Sequence, residues 1–99
     1  MFRQGDVLIQ QVSGIPSGVR QRANLVLAEG ASTGHRHEVA PGEGITLFER
    51  NGTLFLRVSA ARALVVHPEH GTITLKSGIY RVWRQREYTG QAEQRFVMD

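Results

Sequence analysis

Two β-rich runs, residues 45–50 and 53–59, flank the dipeptide Asn51-Gly52. Asn-Gly between such runs is the strongest short hairpin signal, because a type I′ turn needs positive φ at both central residues. The rest of the chain has the same rhythm. Runs of residues 6–12, 24–28, 33–39, 62–67, 72–76 and 79–86 are bounded by Gly, Pro, Asn and Ser, and none carries a sustained 3.6-residue apolar stripe. Ser77-Gly78 predicts a turn between the last two. Residues from about 87 onward read as a short helix or an arm, with Phe96, Val97 and Met98 apolar enough to pack on something.

Seven to eight short strands in 99 residues cannot lie flat and still enclose a dry core. The expected fold is all-β, a small barrel or a two-sheet sandwich, in one domain spanning residues 1–99. Without cysteine there are no disulfides and no thiolate ligands. No apolar run is long enough to span a bilayer, and the N-terminus lacks the apolar stretch of a signal peptide. A cytoplasmic protein without membrane association is the expectation.

The concentrated chemistry is four histidines in two pairs, His35/His37 and His67/His70. Residues two apart on a strand face the same way, so a strand over 33–39 sets the imidazoles of His35 and His37 side by side. The second pair brackets a turn at Pro68-Glu69, which puts both rings at one rim. If that rim faces the third strand, four ring nitrogens converge on a divalent ion, with Zn, Ni, Fe or Mn all compatible with imidazole. Glu38, Glu43 and Glu69 are the carboxylates at hand to complete or orient such a site. The plainer alternative is four half-exposed histidines bonded to their neighbours.

The segment Gly30-x₄-His35-x-His37-x₅-Glu43 resembles the first cupin motif. That resemblance implies a jelly-roll-like barrel in which His35, His37 and Glu43 contribute to a metal site. Gly71-x₅-Ser77-Gly78 is similar to the glycine-rich turn of the second cupin motif, but Arg81 stands near the place of its histidine ligand, and His67 and His70 lie on the other side of the turn. The segments 33–37, 67–75 and 80–88 also look similar to small bacterial and phage-borne proteins of unassigned function, which implies treating the two histidine segments as one feature and implies no activity.

The net charge of +3 rests on eleven arginines and Lys76, scattered among nine acidic residues. Arg81, Trp83, Arg84, Arg86 and Tyr88 interleave cations with aromatics, as a single-stranded nucleic-acid platform does. The favoured reading of that strand is blander: Trp83 and Ile79 belong to the core, and arginine stems cover apolar surface. Ser32 and Thr33 beside His35 lack a third partner or an oxyanion hole, and no glycine-rich phosphate loop opens a helix. Three functions therefore stand, in order: a histidine-based metal or small-molecule site with no reaction named, a homo-oligomeric interaction module (a dimer first), and a nucleic-acid-binding domain.

Overall fold

Asn51 and Gly52 have φ of 51° and 83°, so the Asn-Gly turn takes the left-handed conformation at both positions. It joins β6 (Ile45–Arg50) to β7 (Thr53–His67) in register from Arg50↔Thr53 to Ile45↔Val58. These features belong to a computed structural model that describes residues 1–30 and 34–85. The other described strands are β1 (Phe2–Gln4), β2 (Val7–Val12), β3 (Arg20–Gln21), β4 (Val26–Glu29), β5 (Arg36–Val39) and β8 (His70–Arg84). The expected C-terminal helix or arm lies outside the described residues.

All pairings are antiparallel, in the order β1-β2-β8-β7-β5-β4, with β6 also on β7 and β3 on β6. The sheet forks along β7, whose first half pairs with β6 while Val65 and Val66 pair with β5. The result is one eight-stranded sheet curled into a half-barrel. It meets the packing requirement by curling, so the apolar side chains of one face enclose the core.

Two expected strand breaks are absent. Residues 53–59 and 62–67 form one fifteen-residue strand, as do the runs on either side of Ser77-Gly78. The register shift between Val58↔Gly78 and Arg62↔Lys76 sets residues 59–61 against Ser77 and takes up the irregularity without a reversal of the chain. A bulge sharpens local twist and bends a strand, which is what curling the β7–β8 ribbon requires.

The inner face buries Val7, Ile9, Leu47, Leu56, Val65, Leu75 and Val82, each at most 1% exposed. A fully buried side chain of this size contributes about 1.5–3 kcal/mol. Tyr80 joins them and its hydroxyl donates to the Lys76 carbonyl at 2.8 Å; burial raises its pKa above the usual 10.0. On β8, then, Tyr80 and Val82 are core, while Ile79 and Trp83 occupy the alternate, outward positions and are only half-buried. This corrects the expectation that Trp83 and Ile79 belong to the core. Period-2 alternation allowed either face of that strand to be the inner one, and the hydroxyl partner for Tyr80 within the sheet lets it take the buried side.

Candidate functional site

Pro68 and Glu69 form a two-residue connection between β7 and β8, with His67 and His70 paired across it. The pairing of β5 with the end of β7 places His37 beside this turn, since its neighbour Glu38 is opposite Val66. His35 lies just before β5, its carbonyl accepting from the Gly30 N–H at 2.9 Å. The strand is therefore shorter than the 33–39 expected. Even so, the two sequence pairs meet: ring centroids are 4.2 Å apart for His37–His67, 4.6 Å for His67–His70, 5.7 Å for His37–His70 and 5.8 Å for His35–His67. His67 is the hub, touching all three of the others.

The innermost ring is held from behind. Gln4 and His37 are 2% and 6% exposed, respectively. The Gln4 amide nitrogen donates to the carbonyls of Val65 at 3.1 Å and Gly71 at 2.8 Å. Its oxygen must then face His37, whose Nδ1 lies 2.8 Å away. A carbonyl oxygen only accepts, so His37 carries its proton on Nδ1 and keeps a free lone pair on Nε2. His67 has the opposite polarity. Its Nδ1 accepts the Glu69 backbone N–H at 2.9 Å, so the neutral ring carries its proton on Nε2.

Charge follows the same pattern. The pKa of His37 is lowered from 6.5 to about 4, first by burial and then by neighbouring His67, while Asp6 pulls it upward and His70 and Arg84 lower it. His37 is therefore a neutral imidazole at physiological pH. Asp6 takes two hydrogen bonds from Arg84, at 2.9 and 3.2 Å, and accepts the Gln85 N–H at 2.8 Å through its backbone carbonyl. His35 Nδ1 is 3.5 Å from a Glu69 carboxylate oxygen at the outer side of the cluster.

Gly5 floors the space between two of the rings. Its φ is +61°, and a Cβ there would lie 3.1 Å from His70 Nε2, 3.2 Å from His37 Cε1 and 3.5 Å from His37 Nε2. Among the described residues, no group of three or more histidine, aspartate or glutamate side chains is arranged to hold a metal ion. The rings are gathered, but their nitrogens do not converge on one point.

Other expected participants lie elsewhere. Glu43 follows β5 at its far end and lines a shallow cavity with Ala60, Arg62 and Ala63, on the middle of β7. Antiparallel pairing carries the chain away from His67 as it runs from Glu38 to Glu43, so the structure does not bring Glu43 to the histidines. Arg84 points inward to Asp6, on the opposite face from Arg81 and Trp83. Arg86 and Tyr88 lie outside the described residues. Gln4, Gly5 and Asp6 were not identified from sequence: a single glutamine, glycine and aspartate near the N-terminus carry no spacing signal, and only the sheet order brings β1 to the His67–His70 turn.

No curated protein and no solved structure matches the chain. Among the described residues, no helix is long and apolar enough to cross a membrane. A family model described as a domain of unknown function, DUF8820, matches residues 3–85, a span that holds Gln4 and all four histidines, and the chain belongs to that family.

Proposed function

We propose that the histidine cluster is a binding site for one divalent transition metal ion, with His37, His67 and His70 as ligands and His35 beside them. The observation that carries this reading is the Gln4–His37 contact. An outer partner that fixes the Nδ1 proton and leaves Nε2 free is the arrangement that orients histidine ligands in metal sites. Ring spacing supports it as well. With metal–nitrogen bonds near 2.0–2.1 Å, imidazoles sharing one tetrahedral ion have centroids about 5 Å apart, and the 4.2, 4.6 and 5.7 Å separations of these three rings bracket that value. The glycine at position 5 keeps side-chain atoms out of the space between His37 Nε2 and His70 Nε2.

Coordination through His67 Nε2 requires its proton to move to Nδ1, which displaces the Glu69 N–H. Metal binding thus loosens the His67–His70 turn while it tightens the rings. A three-histidine site leaves coordination positions for water or a small ligand, and no reaction is assigned to them.

The test is titration of tag-free protein with Zn, Ni, Mn and Fe(II), read by calorimetry, thermal shift and elemental analysis. One equivalent of metal is expected, abolished in His37→Ala and His70→Ala and weakened about 10- to 100-fold in Gln4→Ala. No metal above background and no thermal shift with any of the four ions overturns the reading.

A further inference from the structure

On the side of the sheet away from the core, the outward positions form cross-strand rows that no part of the histidine site uses. One row runs Phe48, Phe55, Arg81, Gln10 across β6, β7, β8 and β2. The flanking rows hold Thr46, Arg57, Ile79 and Val12 on one side, and the pairs Arg50–Thr53 and Trp83–Leu8 on the other. No aspartate or glutamate occupies an outward position on β2, β6, β7 up to Val58, or β8 from Ile79. Phe48, Phe55 and Trp83 are half-buried there, with Arg57 over the Phe48 ring at 5.0 Å and Arg81 over the Trp83 ring at 4.5 Å.

Between these rows lies a cavity of about 230 Å³ lined by Pro16, Arg50, Asn51, Thr53, Phe55 and Arg81. That is below the roughly 300–1,000 Å³ of a drug-sized site. Its lining combines an aromatic ring, two guanidinium groups, and the amide and hydroxyl of Asn51 and Thr53. A planar base against Phe55 with phosphates at Arg50 and Arg81 satisfies all of them.

We propose that this outer face binds single-stranded nucleic acid, one base stacking on Phe55 and the backbone following Arg50, Arg81 and Arg57. Stacking on aromatics within a cationic groove is how sequence-tolerant single-strand binding works. The absence of carboxylates from the face makes it complementary to a phosphate chain, and the arginines lying over Phe48 and Trp83 keep their charge at the surface, where phosphates can reach it. Adjacent rows on one face are about 7 Å apart, a spacing an extended strand can follow. This face is separate from the histidine site and its function does not depend on metal binding.

The experiment is a titration of a labelled thymidine homo-oligonucleotide, about twelve nucleotides long, followed by anisotropy and by emission from Trp83, the chain's one tryptophan. Binding is expected at about 50 mM salt, weakening steeply by about 200 mM. Arg81→Gln and Arg50→Gln should each reduce the salt slope by about one. Phe55→Leu, which keeps an apolar side chain on the sheet, should weaken binding roughly tenfold while preserving the slope. His37→Ala should bind the oligonucleotide as wild type does, so loss of the metal reading leaves this one intact. Absence of binding at low salt overturns the proposal. So does binding that Phe55→Leu does not change, or binding to duplex equal to that for single strand, either of which marks a charge-only surface. A stable dimer that shields Trp83 from an added quencher and that the oligonucleotide does not dissociate also overturns it, because the face then belongs to a second copy.

Discussion

His37 Nδ1 and Gln4 Oε1 are 2.8 Å apart inside the half-barrel, although thirty-three residues separate them in the chain. The contact ties the first strand to the β5 histidine, and the two hydrogen bonds from the same amide to Val65 and Gly71 tie it to β7 and β8 as well. One glutamine thus joins four strands at the end of the sheet where the imidazoles gather.

Replacing Gln4 by alanine removes three hydrogen bonds, to the buried His37 ring, to the Val65 carbonyl and to the part-buried Gly71 carbonyl. Each unsatisfied buried group costs about 1–3 kcal/mol, reduced wherever water can enter the space left behind. Gln4→Ala is expected to lose about 2–4 kcal/mol in urea unfolding. A loss below about 0.5 kcal/mol would show that the three contacts contribute nothing net.

Acid should weaken the fold through His37. Its folded pKa, about 4, lies below the 6.5 of the unfolded chain, so between these values the unfolded state binds the extra proton. Stability is then full above pH 6.5, falls as the pH drops, and levels off below pH 4. The gap corresponds to about 3 kcal/mol. Because carboxylates titrate at the lower end of this range, the measurement is the difference between wild type and His37→Gln, followed from pH 7 to pH 4. Equal pH dependence in the two proteins refutes the assignment.

The ion pair beside the cluster adjusts that titration. Arg84 and Asp6 are 21% and 34% exposed at their side chains, and two hydrogen bonds join them. Arg84 lowers the His37 pKa and Asp6 raises it. Arg84→Met removes the first influence and frees the second, so the His37 pKa should rise toward its ordinary value. Ring-proton shifts in NMR at varied pH read this directly. The expected stability loss is small, about 1 kcal/mol, since the pair is partly solvated.

The hairpin, the all-β class and the pairing of His67 with His70 were all legible in residue order, because each rests on local chemistry. Asn-Gly selects its own turn, and Pro68 marks the end of β7. The fusion of two runs into β7 was not legible, because Ala60 and Ala61 between the runs 53–59 and 62–67 carry no strand signal until β8 supplies a partner across the bulge. The inward face of β8 was equally hidden, since Tyr80/Val82 and Ile79/Trp83 are both apolar enough to face a core. For the site, four histidines could be identified and Gln4 could not. Its role depends on β1 pairing with β2, β2 with β8, and the curl that then swings Gln4 over Val65 and Gly71.

Gly5→Ala separates the cluster's architecture from its chemistry. A residue at φ +61° strains any L side chain by about 1 kcal/mol. The new methyl would also sit 3.1 Å from His70 Nε2 and 3.2 Å from His37 Cε1, so one of the rings must give way by a few tenths of an ångström. His70 is exposed and on the turn, whereas His37 is buried and held by Gln4, so the His70 ring is the one that moves. The expected result is a modest stability loss of about 1–2 kcal/mol with the His37 titration preserved. Metal affinity, by contrast, should fall well beyond what that loss explains, because the methyl occupies the gap between the two Nε2 atoms. Calorimetric titration with Zn and Ni on the folded variant checks this, and undiminished affinity would place the ion elsewhere than between His37 and His70.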